Sequence, residues 1–368
     1  MDRRNFTKTI GLAAIGVQTY AAGSSEVLFI ENLNKSKRIP LGLCNHSLRS
    51  SRLNAQQLIQ YAIEEQLDSV MLNTLKPFQS LEESHLVQLK QLADSHNISL
   101  YIGAGSISED TKAYKNTYGS AKGSLLEGIR VAKILGSPTV ACRIGNIDDR
   151  YHKDGIKWHM KVVTEVMQST REEALDAGIK FAIENHAGDL RAEEILEIVE
   201  ETGTDICGIL YDPANAVWVL EDPMETLQKL KKHILCTSVR DVIIWETKEG
   251  AKYQCKAVGE GILDFKKYAK VLAKNCPGVP IHVESISNAV IDLPFKTIDF
   301  IKGFPDVTQA EIDEFSKLAS KGKPQEIVTL TKGESKKDFD IKLQEIEVQK
   351  SFTYLRNHCN VGLKVEEN

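Results

Sequence analysis

The 368-residue chain has no Cys-x-x-Cys pair and no tight Cys/His cluster. That argues against a structural zinc site. Its seven cysteines, Cys44, Cys142, Cys207, Cys236, Cys255, Cys276 and Cys359, are scattered, and four sit inside or at the end of apolar strand-like runs. An odd number at such spacing gives no disulfide framework and reads as buried thiols. Positive charge is not in excess: 46 Lys plus Arg face 51 Asp plus Glu, a net charge of −5, which argues against a nucleic-acid binder. No apolar run is long enough to span a bilayer, so no stable membrane insertion is expected. Gly (24) and Pro (10) are too sparse for a collagen-like or low-complexity chain, and 42% hydrophobic with 26% charged residues is ordinary for a globular protein with a sizeable core. The length would suit two average domains or one α/β barrel, and periodicity has to decide.

The first residues, MDRRNFTKTIGLAAIGVQTYAAGSSE, place Arg3 and Arg4 before Phe6, then an apolar stretch from 10 to 17, then Ala21, Ala22 and Gly23. A basic start, a short weakly hydrophobic middle and small residues near a cleavage point are what a translocase reads. Residues 1–23 are therefore expected to be a twin-arginine export signal and the protein to be periplasmic.

From Pro40 onward, short apolar runs alternate with stretches of helical period. IPLGLC, DSVMLN, SLYIGA, PTVACRI, KFAIEN, CGILYD, ILCTSV and VPIHVE begin near residues 40, 68, 99, 138, 180, 207, 234 and 279. Between them, 54–65, 82–96, 124–135, 158–177 and 191–202 repeat apolar residues at three- and four-residue steps. Strict strand-then-helix order forces parallel strands with right-handed crossovers, and eight such units close into a (β/α)8 TIM barrel, here over residues 36–363. An open doubly wound sheet would carry a Gly-rich turn after its first strand, and GLCNHSLRS has none. Two intervals exceed a loop and helix: 241–262 after the seventh strand, and an insertion, 285–340, between the eighth strand and the eighth helix. Both follow strand C-termini, where barrels build active sites, so they are candidates for a lid or substrate wall. Within the second, KGKPQEIVTLTKGESKKDFD is expected to be partly solvent-exposed, and IKLQEIEVQKSFTYLRNHCNVGL is expected to be the last helix.

The chemical signal lies at the strand ends. The last four strands finish at Glu184, Asp212, Ser238 and Glu284. Because barrel strands alternate inward and outward, Ala182, Leu210, Cys236 and His282 should form the layer beneath. Three carboxylates converging on one mouth repel one another unless something positive lies between them, and a divalent cation is the common solution. Helix capping, or pairing with Arg143 and Arg240, is the alternative.

IENH at the fifth strand, YDPANA at the sixth, SVRD at the seventh, GEG at 259–261 followed by LDF, and HVES at the eighth together resemble the xylose isomerase-like TIM-barrel superfamily of sugar (phosphate) isomerases and epimerases. The resemblance covers most of residues 39–363. It implies a divalent metal (Mg, Mn or Zn) on Glu184, Asp212 and Glu284, with Ser238 where the family has histidine. A hydroxyl is a poorer ligand than an imidazole, so the metal is expected to be weakly held, bound through water, an oxygen-loving ion such as Mg or Mn, or absent; His282 is read first as a core histidine satisfied by a neighbouring carbonyl, with filling that space as the alternative. It further implies that Glu184 and Glu284 flank a small-molecule carbohydrate as two bases, removing a proton next to a carbonyl and returning it elsewhere, with Asp212 mainly a ligand. His186, His46, Asn215, Arg143 and Arg240, the last in place of the family's lysine, are the substrate-facing candidates. Trp218 and Trp245 are candidates for sugar stacking, whereas Trp158 opens a helix. The chain is compatible with a homo-oligomer.

Two other functions compete with an isomerase or epimerase. On an oxidised (keto) glycoside, the same proton abstraction expels the aglycone and the enzyme is a lyase or hydratase, which export favours. A non-catalytic sugar-binding barrel draws support from Ser238. The metal-dependent DNA-repair endonuclease on the same barrel needs more histidines and a basic surface.

Overall fold

The protein is described from a computed structural model covering residues 38–364; the expected export segment, 1–23, lies outside the described residues. Strands β1 (Leu41–Cys44), β2 (Ser69–Leu72), β3 (Ser99–Ser106), β4 (Thr139–Arg143), β5 (Lys180–Glu184) and β6 (Cys207–Tyr211) each precede a helical segment or turn, whereas β7 (Ile234–Thr237) leads straight into another strand. The chain then forms a hairpin of β8 (Asp241–Thr247) and β9 (Gly250–Lys256), returns to β10 (Ile281–Val283), and adds β11 (Val290–Leu293). The order β10-β1-β2-β3-β4-β5-β6-β7 is parallel throughout. A parallel bridge between Val239 and Val283 joins its two ends. There Val239 N donates to His282 O (2.7 Å) and Glu284 N to Val239 O (2.8 Å). All eight expected strands are present, and the sheet is a nearly closed (β/α)8 barrel.

The alternation read from sequence holds inside the barrel. Cys44, Met71, Tyr101, Ala141, Ala182, Leu210 and Cys236 form one buried cluster, separate from the larger core between strands and helices. His282 completes this layer, its ring edge-on to Tyr101 at 4.8 Å. Gly42 makes room for it, because a Cβ there would strike the His282 ring and the Ser69 hydroxyl. The floor beneath the mouth is thus packed, not a pore.

Helix ends follow local chemistry. Asn54 and Gln57 form a reciprocal cap at the start of Ala55–Glu64, and Ser120 caps Ala121–Leu135, which ends at Gly136 with φ +74°. The stretch read as one helix over 158–177 is two, Gly155–Gln168 and Arg171–Ala177. Between them the Ser169 and Thr170 hydroxyls donate to the carbonyls of Val166 (2.7 Å) and Met167 (3.0 Å), competing with the helical ladder.

The two long intervals are more ordered than loops. β8, β9 and β11 form an antiparallel sheet in the order β11-β9-β8. Helix Gln309–Ser320 packs on it through Phe315, whose ring meets Phe295 edge-on at 5.4 Å. Phe300 stacks on Phe304 at 4.9 Å, and the Arg150 guanidinium lies 4.2 Å from the Phe304 ring. Burial of these phenylalanines, invisible to strand-helix counting, is what orders the segment. Residues 323–334 are largely exposed, as their charge and Pro/Gly punctuation suggested. The last helix, Lys336–Cys359, begins earlier than its apolar repeat because Ser335 caps it, accepting from Asp338 N at 3.1 Å. No helix among the described residues is long and apolar enough to cross a membrane.

Candidate active site at the barrel mouth

Each acidic side chain is aimed by its strand end. After β5, Asn185 ties its neighbour strand down: its Nδ2 donates to Asp212 O (2.9 Å) and its Oδ1 accepts from Asp212 N (2.9 Å). Asp212 then caps the short helix Pro213–Ala216, accepting from Ala214 N (2.9 Å) and from Asn215 Nδ2 (2.9 Å). After β10, Ser285 N donates to Ser47 Oγ (2.8 Å), whose own hydroxyl donates to Val283 O (2.9 Å), so Glu284 is held between two barrel strands. Cys44 Sγ lies 3.5 Å from Glu284 Oε1.

The three carboxylates meet. Glu184, Asp212 and Glu284 each present an oxygen within 4.8 Å of the others, and all three residues are buried. Arg240 is the cation in their midst. Its Nη1 donates to Asp212 and to Glu284 (3.1 Å), and its Nη2 donates to Asn215 Oδ1 (2.7 Å). Cys255 and Tyr253 of β9 lie close enough to act on the guanidinium electrostatically, so the accessory sheet covers this side of the site. Glu184 has no such partner and accepts no hydrogen bond among the described residues.

Unequal surroundings separate the acids. Burial, then the charge of Glu284, pushes Glu184 well above the usual carboxylate range. Burial also raises Asp212, to about 7, against the pull of Arg240. For Glu284, burial is outweighed by His46, Arg240, His186 and the Ser238 hydroxyl, leaving it at about 2. One glutamate thus favours the proton and the other resists it.

The remaining candidates distribute as follows. His186 heads a tight turn in which Ala187 (φ +43°) and Gly188 (φ +85°) swing Asp189 back to accept from His186 N (2.7 Å) and Gly145 N (3.1 Å). Its Nδ1 donates to Gly145 O, and burial followed by Arg143 lowers it to about 3, so the ring is neutral with Nε2 as acceptor. His46, half-buried after β1, is also lowered by burial while feeling Glu284. Asn215 is buried beside Asp212. Arg143, at the end of β4, makes no ion pair among the described residues, and its buried Nε has no partner. Trp218 is half-buried against Tyr253, with ring centroids 5.3 Å apart, and its Nε1 is unpartnered. Trp245 stands on β8 opposite Lys252 and lines neither cavity at the β1–β4 side of the mouth.

His282 takes the core role and does not fill the place of a missing ligand. Its Nδ1 pairs with Thr237 O (3.0 Å) and its Nε2 with Ser69 Oγ (3.1 Å), so both ring nitrogens are engaged in the layer below. Ser238 does sit at the fourth corner. It is buried, and its Oγ makes no hydrogen bond of normal geometry, yet the hydroxyl lies close enough to Glu284 to help hold that carboxyl low.

These residues fit a divalent cation. Of three buried carboxylates, Asp212 and Glu284 share one guanidinium, Glu184 is left without a donor, and an unpartnered hydroxyl faces them. All are oxygen donors, the set that hard ions such as Mg or Mn prefer, and carboxylates also bind Zn.

Sequence reasoning passed over several supporting residues. Asn185 is visible only once β5 and β6 are neighbours. Asp241 accepts from the backbone N–H groups of Val242, Gly259, Gly261 and Leu263 at 2.9–3.1 Å, so the GEG segment is a loop folded around a carboxylate. The Asp-then-GEG spacing was legible, but its meaning was not. The basic residues Arg49, Arg52 and Lys76 also border the mouth.

Comparison with known proteins agrees with this fold. The family described as xylose isomerase-like TIM barrel matches residues 59–302. Among curated proteins, the chain is 23% identical over 224 residues to the uncharacterised protein YihM of Escherichia coli (60% of this chain, 63% of that one). It is 26% identical over 141 residues to an inosose dehydratase of Clostridium botulinum (35% of this chain, 47% of that one). The matches thus span less than two thirds of those relatives. Of solved structures, the zinc-bound IOLI protein superposes with a TM-score of 0.53 at 15% identity, covering 78% of this chain and all of that one. A D-psicose 3-epimerase of Clostridium cellulolyticum, solved with D-tagatose, gives 0.52 at 13% identity, covering 76% of this chain and 96% of that one.

Proposed function

Because the chain belongs to the xylose isomerase-like TIM-barrel family, we propose that it is an enzyme that moves a proton next to the carbonyl of a sugar or keto-sugar, as an isomerase or epimerase. The observation that carries this reading is the convergence of Glu184, Asp212 and Glu284 above a packed floor. A divalent cation held by the three carboxylates and Ser238 would supply Lewis-acid polarisation of a substrate oxygen.

The chain's own residues supply the rest. An ionised glutamate removes the proton from the carbon next to the carbonyl, and the bonding electrons pass to the oxygen as an enediolate. The second glutamate returns a proton to the opposite face, or to the neighbouring carbon, so atoms and charge balance. The opposed tendencies of Glu184 and Glu284 suit this division. Arg240 and Asn215 orient Asp212, and neutral His186 can accept from a substrate hydroxyl through Nε2. The accessory sheet limits water.

Elimination is a second reading, favoured by the match to an inosose dehydratase. The same enediolate would then expel a β-hydroxyl as water or a glycosidic oxygen. Export by the twin-arginine route, which we also propose, would bring the enzyme to such glycosides in the periplasm.

The test is deuterium exchange from solvent into a panel of ketoses and keto-glycosides. Isomerase or epimerase action gives a labelled sugar, and elimination gives an unsaturated product. Glu184→Gln and Glu284→Gln should each lower turnover by roughly 10²–10⁴-fold. Tight sugar binding without exchange in any case would identify a binding protein instead.

A further inference from the structure

Opposite the carboxylates, the mouth changes sign. At the ends of β1 and β2, a cavity of about 740 Å³ is bordered by His46, Arg49, Arg52, Lys76 and Arg143. A second, of about 330 Å³ over β2–β4, shares Lys76 and Arg143 and adds Lys115. Neither has an aspartate or glutamate in its wall, in a chain where acids outnumber bases 51 to 46. A cavity of comparable size between helices Pro223–Leu230 and Gln309–Ser320 mixes both signs, as an ordinary surface does. Arg52, Lys76 and Arg143 make no ion pair among the described residues, and Arg143 Nε is buried without a partner. Arg49 spends its Nη1 on the carbonyls of His46 and Ser285, which aligns it at the rim.

Adjacency ties this wall to the chemistry. Cys142 pairs with Ile183 in the β4–β5 register, so Arg143 and Glu184 are the next residues on neighbouring strands. His46 lines the cavity and lies two residues beyond Cys44, which touches Glu284. Arg143 is half-buried, its buried Nε has no partner and it bonds no carboxylate although Glu184 and Asp189 feel its charge, so its planar fork is left to suit a carboxylate or phosphate.

Resting on the proposed sugar chemistry, we propose that the substrate is anionic: a carboxylate- or phosphate-bearing sugar whose charged group sits on Arg143, with Arg49, Arg52 and Lys76 around it, while its carbonyl end faces Glu184 and Glu284. The carboxylates work on one half of the molecule and the cations hold the other.

The test is calorimetric binding to the full chain, in the unsubstituted and Glu184→Gln forms, of three related ketoses: D-fructose, D-fructose 6-phosphate and 5-keto-D-gluconate. At least one anion should bind about tenfold or more tightly than fructose, and which one does distinguishes phosphate from carboxylate. Arg143→Gln should abolish that preference, bringing the anion and fructose constants together. The exposed pair Arg52→Gln/Lys76→Gln, which should fold even where Arg143→Gln does not, should reduce the preference by about threefold. Anions binding no tighter than fructose, or a preference untouched in both variants, would overturn the proposal. Anion preference that persists without any deuterium exchange would instead remove the isomerase reading and leave this site standing.

Discussion

Arg240 offers the sharpest test of the electrostatics. Among the described residues it is the only cation bonded to the carboxylate cluster, through Asp212 and Glu284, and it is 6% exposed. Arg240→Met keeps the length and apolar stem but leaves Glu184, Asp212 and Glu284 facing one another. Breaking a buried pair by removing one partner costs about 3–5 kcal/mol, because the stranded charges stay desolvated. Residues 38–364 carry an unfolding entropy on the order of 0.7 kcal/mol/K, so the melting temperature in chelator should fall by roughly 4–7 °C. Divalent metal then becomes the replacement counter-charge. Added Mn or Mg should raise the melting temperature of the variant by more degrees than that of the parent, since binding to the folded state stabilises in proportion to RT ln(1 + [L]/Kd). Scanning calorimetry with chelator and with metal reads both effects. An unchanged melting temperature in chelator, or equal metal shifts in both proteins, would refute the view that Arg240 and a cation share one carboxylate cluster.

Two stability predictions follow from packing and surface charge. Gly42→Ala inserts a methyl into the space of the His282 ring and the Ser69 hydroxyl, and should cost about 1–3 kcal/mol, seen as a lower urea midpoint with unchanged slope; an unchanged midpoint would mean the barrel floor is not tightly packed. Glu311 bonds Arg191 at 2.6 Å, and Arg191 with Thr308 outweighs burial to hold it at about 2. Its folded value lies below the unfolded one, so its contribution is complete above about pH 4.5 and lost as pH falls through about 2. With the side chain 41% exposed, Glu311→Gln should cost under ~1 kcal/mol at pH 7. The gap between the two melting curves should narrow on acidification, and a gap that widens would contradict the pairing.

The order of strands and helices was readable because burial on both sides of a parallel strand leaves continuous apolar runs, and helix faces leave a 3.6-residue period. Those two signals placed eight strands and aligned Glu184, Asp212, Ser238 and Glu284 at one end of the barrel, with Ala182, Leu210, Cys236 and His282 one layer down. They failed where stability comes from contacts distant in sequence, and where side chains compete locally with the helical ladder. The β8–β9–β11 sheet is held by Phe315 on Phe295, and the break at Ser169 and Thr170 depends on hydroxyls competing with the backbone.

Roles within the site needed coordinates for the same reason. His282 could be a ligand or a core residue until Thr237 and Ser69 were found at its two nitrogens, and Arg240 could touch substrate or carboxylate until Asp212 and Glu284 closed on it. The cationic wall around Arg143 is assembled from three strand ends and has no local signature at all. Period and composition are properties of neighbours along the chain and survive in the sequence. Charge pairing and exposure belong to neighbours in space, and only folding selects them.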